Sequence, residues 1–234
     1  MKLLVSVTDA HEARVAVEGG VDIVDVKNPA EGSLGAPGPG VIERVREVVP
    51  PEHPVSAAIG DLPNLPGTAA LAALGATRCG AAYVKVGLWG TSTTDEAVAV
   101  LRAVRNAVDG GATVIAAAYV DAERVPGGPL PPGAVVDAAR RADIGGCLLD
   151  TAVKDGRGLF EWLSPEALDA LVAEGHAAGL EMALAGALRA EDMRPVRATG
   201  ADIAGVRSAA CRDGRRTAPL EAERIRRLRA VCDG

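Results

Sequence analysis

The first unit of the chain reads Met1-Lys2-Leu3-Leu4-Val5-Ser6-Val7-Thr8-Asp9-Ala10, a short apolar run followed by a polar turn. The run is too short for the apolar core of a secretory signal, so it indicates a first β-strand. An open, doubly wound sheet usually carries a glycine-rich fingerprint at the turn after that strand. This turn has no glycine, and the chain therefore departs from the doubly wound pattern at its first unit.

Short β-rich runs alternate with longer helical patterns along all 234 residues. The predicted strands are Leu3–Val7, Asp22–Lys27, Val55–Ile59, Tyr83–Val86, Thr113–Ala118, Gly146–Asp150, Glu181–Leu184 and Asp202–Val206. The predicted helices lie near Asp9–Glu18, Gly40–Val48, Pro66–Arg78, Thr94–Val108, Pro132–Arg141, Pro165–Ala178, Glu191–Ala198 and Pro219–Val231. Eight β-then-α units with no segment left over predict an α/β fold of one domain over residues 1–234, a (β/α)8 TIM barrel.

The composition restricts the class of protein. A net charge of −6 argues against a general nucleic-acid binder, and no apolar run reaches the roughly 18 residues of a membrane span. The four cysteines have no metal-site spacing and are expected to be free thiols. We therefore expect a cytoplasmic protein that binds neither nucleic acid nor membrane, and its oligomeric state is left open, a homo-oligomer included.

Polar side chains recur where strands end, which is the active rim of this fold. Side chains alternate along a strand, so the apolar set Val24 and Val26 faces the helices, while Asp25 and Lys27 point into the barrel. The same alternation turns Lys85 inward on the fourth strand. We therefore expect all three polar side chains to lie inside the barrel.

Lysine use sharpens this expectation. Only four of the 25 basic residues are lysines, and three of them, Lys27, Lys85 and Lys154, follow or end predicted strands. An amine can lose its proton and attack a carbonyl, whereas a guanidinium stays protonated. Burial and neighbouring ammonium groups both lower the pKa of a lysine. The cluster predicts a Schiff-base lysine, with Asp25 and Asp150 as candidate acid or base groups or, alternatively, as ion-pair partners of structural lysines.

The last two strands indicate a phosphate site. Loops after strands seven and eight often bind phosphate in this fold through backbone N–H groups. Here the strands end at Gly186 and at Gly205-Val206-Arg207-Ser208. Gly186 and Gly205 would allow close approach of the backbone, and Arg207 and Ser208 could contact the phosphate directly. Glycines also occur at barrel turns for geometric reasons alone.

The loop after Lys27 is long for a βα connection, and long loops at this rim are often functional. It reads Asn28-Pro29-Ala30-Glu31-Gly32-Ser33-Leu34-Gly35. Its glycines and Ser33 supply a flexible backbone and donors. We therefore predict that this loop contacts a second anionic group of the substrate.

Several of these motifs together resemble the signature of the (5-formylfuran-3-yl)methyl phosphate synthase family. The matching stretches are Val24–Pro29, Glu31–Ala36, Tyr83–Leu88, Leu149–Gly156, Ala183–Gly186 and Gly205–Arg207. The resemblance implies a β/α-barrel lyase that joins two glyceraldehyde 3-phosphate molecules with loss of phosphate and water. It places the Schiff-base lysine on Lys27 and further catalytic positions on Lys85, Asp150 and Lys154. It implies no metal or organic cofactor, and a furan product that feeds methanofuran-type one-carbon carriers.

The chain departs from the family pattern in places. Pro37-Gly38-Pro39-Gly40 stands where aromatic residues are expected, and Ala187 and Ser208 stand where the family often has serine and glycine. These changes concern the pocket more than the reaction class. The residues alone leave two other classes open. One is a class I aldolase or phosphosugar isomerase on the same barrel, and the other is a barrel that only binds a small phosphorylated metabolite.

Overall fold

A computed structural model describes all 234 residues, Met1–Gly234. Eight parallel strands close into a barrel in the order of the sequence, and eight α-helices surround it. The strands are β1 Lys2–Val7, β2 Ile23–Val26, β3 Val55–Pro63, β4 Tyr83–Gly90, β5 Thr113–Tyr119, β6 Gly146–Asp150, β7 Glu181–Leu184 and β8 Ile203–Val206. The helices are α1 Ala10–Glu18, α2 Pro39–Val48, α3 Pro66–Arg78, α4 Thr94–Val108, α5 Pro132–Ala142, α6 Pro165–Ala177, α7 Met193–Ala198 and α8 Ala222–Asp233. The predicted TIM barrel is confirmed.

The core has two parts, because each strand has one face toward the helices and one toward the barrel axis. The larger part lies between strands and helices, and it contains Val24, Val26, Val84 and Val86. A smaller cluster lies inside the barrel, and its members are Leu4, Ile23, Leu34, Ala58, Ile115, Ala117, Leu148, Ala183, Ala185 and Ile203. The predicted alternation is correct. The polar residues at alternate positions from Ile23 on β2 and from Tyr83 on β4 therefore point inward.

Capping side chains define the N-termini of α1 and α4. The carboxylate of Asp9 accepts a hydrogen bond from the Glu12 N–H at 2.8 Å, which caps α1. At α4, Thr93 and Glu96 form a reciprocal capping box. Both caps lie on the rim where strands end, so they set the direction in which the chain leaves the active side of the barrel.

Several strand and helix boundaries differ from the sequence prediction, among them the end of β4, which lies at Gly90 instead of Val86. β3 continues to Pro63 through register shifts around Gly60, whose φ of 114° favours glycine. β2 ends at Val26, because Asn28 caps a short 3-10 turn that begins at Pro29. α8 begins later than predicted, since the preceding segment forms 3-10 turns and a bridge between Cys211 and Leu220. None of the helices has the length and apolar character needed to cross a membrane.

Candidate active site

A cavity of about 260 Å³ runs along the barrel axis. It extends from Tyr83 and Glu181, the first residues of β4 and β7, to the loops that follow β7 and β8. Small inward side chains, among them Ala183 and Gly205, leave this space open where barrels of this class are usually filled. Its polar lining is concentrated at the carboxyl ends of the strands, and it includes Lys27, Lys85, Asp150 and Lys154.

Lys27 is the one lysine of the cavity whose amine has no hydrogen-bond or ion-pair partner in the protein. Its side chain is buried, with 8% of the residue exposed. Burial lowers the pKa of Lys27 to about 7; the negative charge of Asp150 opposes this fall, and the positive charges of Lys85 and Lys154 add to it. A large fraction of the amine is therefore unprotonated and nucleophilic near neutral pH.

Lys85 and Asp25 form a buried ion pair, with 2.7 Å between Nζ and Oδ1. Ser6 on β1 donates a hydrogen bond to the other carboxylate oxygen of Asp25, Oδ2, at 2.8 Å. Burial alone would raise the pKa of Asp25, but the charges of Lys85 and Lys27 outweigh it and hold this pKa below its usual value. Asp25 is fully buried and does not line the cavity, so its position matches the ion-pair alternative rather than a group that touches substrate.

Lys154 and Asp150 form the second pair. The Lys154 amine lies 2.8 Å from Oδ1 of Asp150 and also donates to the Thr151 carbonyl at 2.6 Å. Both side chains line the cavity, and Asp150 is buried while Lys154 is partly exposed. Burial would raise the pKa of Asp150, yet Lys154 and Lys27 lower it below its usual value. Asp150 is therefore a carboxylate beside the Lys27 amine.

The loop that carries Lys154 is held by a buried carboxylate from the neighbouring unit. Asp121, just after β5, accepts hydrogen bonds from the N–H groups of Ala152 at 2.6 Å and Val153 at 2.8 Å. Arg124 of the same segment pairs with Asp155 at 2.6 Å. The position of Lys154 therefore depends on residues of the β5–α5 connection.

Arg207 lines the cavity, but its guanidinium is already paired. It lies 2.9 Å from the Glu12 carboxylate and donates to the carbonyls of Ser6 and Arg216 at 2.8 Å. Glu12 comes from α1, at the opposite end of the sequence. The predicted direct phosphate contact by Arg207 is therefore not favoured, because a phosphate would have to compete with a buried carboxylate.

Ser33 has a different role from the predicted one. It is buried outside the cavity lining, and its hydroxyl donates to the Thr151 carbonyl at 2.9 Å. The Asp61 carboxylate accepts a hydrogen bond from the Leu34 N–H at 3.3 Å and another from the Tyr119 hydroxyl. The anion that the loop after Lys27 contacts in this structure is therefore the carboxylate of Asp61, not the substrate group that the sequence predicted.

The loops after β7 and β8 do reach the cavity. Gly186, Gly205 and Ser208 line it, as predicted for the substrate-binding residues of this region. Among the lining residues that were not anticipated are the polar side chains of Ser6 and Arg216. Ser6 was detectable, because it has the same strand parity as the inward Leu4. Arg216 lies in an irregular segment where no periodicity indicates the direction of a side chain.

A closed β/α barrel with an unpaired, buried amine among charged groups at its active rim defines a TIM-barrel enzyme. The architecture is similar to that of 3-hexulose-6-phosphate synthase from Salmonella typhimurium, with a TM-score of 0.66 at 20% identity over 99% of this chain and 98% of that chain. The family model described as 4-HFC-P synthase matches residues 3–229. The chain belongs to this family.

Full-length relatives carry the same name. The chain is 50% identical to (5-formylfuran-3-yl)methyl phosphate synthase of Methanopyrus kandleri over 97% of both chains. It is 46% identical to the protein of that name from Methanocaldococcus jannaschii, over 99% of this chain and 100% of the relative. The family resemblance seen in the sequence motifs is confirmed.

Proposed function

We propose that the chain condenses two glyceraldehyde 3-phosphate molecules into (5-formylfuran-3-yl)methyl phosphate, with loss of one phosphate and water, through a Schiff base on Lys27. Family membership supports the product. The mechanism is supported by one observation above others: Lys27 is buried in the cavity and unpaired, and its pKa is lowered to about 7. The reaction is a lyase reaction because the phosphate leaves by elimination.

The amine of Lys27 attacks the carbonyl carbon of the first triose phosphate, and water leaves to form an iminium ion. The positive nitrogen withdraws electrons from the adjacent carbon, so a proton on that carbon becomes acidic. Removal of this proton gives an enamine, which expels a phosphate from the neighbouring carbon or attacks the carbonyl of the second triose. Carbon–carbon bond formation and ring closure then give an imine of the furan aldehyde on Lys27. Water hydrolyses this imine, which releases the aldehyde product and restores the amine.

The two ion pairs supply the proton transfers in this proposal. Asp150 is a carboxylate in the cavity and is the proton acceptor. Lys154 lies 2.8 Å from it and returns protons to departing oxygens. Lys85 also lines the cavity, and its ion-pair partner Asp25 lies 2.7 Å away, outside the cavity lining. The cluster thus has one unpaired nucleophilic amine beside two lysine–aspartate pairs.

Purified protein with glyceraldehyde 3-phosphate, monitored for inorganic phosphate and furan absorbance together, tests this function. We expect both products in fixed ratio from the wild type and from Lys2→Met, and neither from Lys27→Met. Lys2 is a suitable control because it lies at the opposite end of the barrel and pairs with Glu181 at 2.7 Å. Carbon–carbon bond formation without a furan chromophore would instead indicate an aldolase, and the proposal would be wrong.

A further inference from the structure

Most of the cationic side chains that line the cavity have a carboxylate partner. Five cationic side chains line it, and they are Lys27, Lys85, Lys154, Arg207 and Arg216. Three of these have a carboxylate within 2.9 Å, and the amine of Lys27 is the nucleophile of the proposed reaction. Arg216 is the remaining cation, and it has no carboxylate partner.

Arg216 is poorly satisfied for an arginine in this position. Its guanidinium makes one hydrogen bond, to the Gly32 carbonyl at 3.1 Å, out of the five N–H donors that an arginine carries. Burial lowers the pKa of Arg216, and the negative charge of Asp150 opposes that fall. A half-buried guanidinium with most donors free is suited to a ligand with several oxygen acceptors.

Free donors on the facing loops complete the arrangement. The backbone N–H groups of Gly186, Ala187 and Ser208 have no acceptor in the protein, and neither has the Ser208 hydroxyl. All three residues line the same cavity as Arg216. Ala187 has a φ of 47°, a left-handed conformation that is unfavourable for alanine and tends to persist at functional sites. Several unused donors on one wall form a concavity for an anion.

We propose that Arg216 binds a phosphate group of the substrate, together with the backbone of Gly186 and Ala187 and with Ser208. This inference rests on the proposed function and makes it more specific. The two phosphates of the condensing trioses are then unequal, because only one of them meets an unpaired arginine.

The test measures binding of inorganic phosphate to the whole protein by titration calorimetry. Arg216→Gln removes the cation, Arg216→Lys keeps the charge but not the paired donors, and Arg215→Gln is the matched control. Arg215 is adjacent, 70% exposed and paired with Asp213 at 3.5 Å, so its loss changes net charge equally. Ser208→Ala gives an independent measurement should Arg216→Gln fail to fold.

We expect Arg216→Gln to weaken phosphate binding by at least about tenfold, as loss of a charged hydrogen bond does. Arg216→Lys should be intermediate, Ser208→Ala should lose roughly threefold or more, and Arg215→Gln should stay within about twofold. Equal affinity in Arg216→Gln and Arg215→Gln would overturn the assignment. So would an unchanged affinity in Ser208→Ala.

Borohydride trapping with unphosphorylated glyceraldehyde separates this inference from the proposed function. We expect the same yield of Lys27 adduct in the wild type and in Arg216→Gln, because that aldehyde has no phosphate. If the adduct forms on Lys27 but Arg216→Gln binds phosphate as tightly as the wild type, only the Arg216 assignment is wrong. If Arg216→Gln weakens phosphate binding but no adduct forms on Lys27, the proposed Schiff base is wrong and the Arg216 assignment is supported.

Discussion

Oδ1 of Asp25 lies 2.7 Å from Nζ of Lys85, and the Asp25 carboxylate is completely buried below the cavity. The pair fixes a positive charge beside Lys27 without leaving that charge uncompensated. Lys154 and Asp150 repeat the arrangement on the other side, at 2.8 Å. Two of the three lysines are thus paired with carboxylates, and the third, Lys27, has a free amine.

Replacing Asp25 by asparagine should destabilise the fold, because it leaves the ammonium of Lys85 buried without a counter-ion. We expect a loss of about 3 kcal/mol or more in the free energy of unfolding, measured with urea. The double variant Asp25→Asn/Lys85→Met should recover part of that loss. As a control, Asp143→Asn breaks an exposed pair with Arg105 and should cost less than about 0.5 kcal/mol. Equal effects of the two asparagine substitutions would contradict this account.

The rate of Schiff-base formation should rise steeply as the pH passes through about 7. Burial lowers the pKa of Lys27 to about 7, and only the unprotonated amine attacks a carbonyl, so the rate should level off above that value. The measurement is the yield of borohydride-reduced adduct at short reaction times from pH 5 to pH 9. A rate that keeps rising tenfold per pH unit through this range would mean that Lys27 titrates as an ordinary lysine.

Asp121 should be needed for turnover although it does not line the cavity. Asp121→Ala removes the acceptor of two N–H groups that precede Lys154, so the loop loses its anchor. We expect kcat to fall at least about tenfold with a smaller change in KM, and a stability loss of about 2 kcal/mol. Faster proteolysis between residues 151 and 158 should accompany it. Asp137→Ala, which breaks a helix-surface pair with Arg140, should change none of these measurements.

Replacing Ser33 by alanine tests whether its hydroxyl is structural or binds the substrate. Ser33→Ala removes the bond to the Thr151 carbonyl and should cost about 1 kcal/mol of stability. Because the hydroxyl lies outside the cavity, KM for glyceraldehyde 3-phosphate should stay within about twofold of the wild-type value. A KM increase above tenfold at unchanged stability would restore the role predicted from the sequence.

Much of the fold was predictable because its determinants are local. Alternation in Val24-Asp25-Val26-Lys27 distinguishes the helix-facing from the inward side, and the glycines and prolines around each helix mark its ends. The same alternation predicted that Lys27 and Lys85 share the barrel interior, which the structure confirms. Parity along one strand is enough for such a prediction.

The partners of the site residues were not predictable in this way. Arg207 pairs with Glu12, which is separated from it by 195 positions and lies on a helix with its own capping pattern. Arg216 lies in the irregular segment between the last 3-10 turn and α8, where no period applies. The Leu34 N–H and the Asp61 carboxylate meet across a loop and a strand whose register shifts. Each depends on tertiary geometry rather than on a repeating pattern.

The most direct measurement of the central claim is peptide mapping after borohydride reduction in the presence of glyceraldehyde 3-phosphate. We predict a single stable adduct on the peptide that contains Lys27, absent from Lys27→Met and present in Lys2→Met. An adduct located on Lys85 or Lys154, or no adduct at a glyceraldehyde 3-phosphate concentration that gives full turnover, would contradict the account.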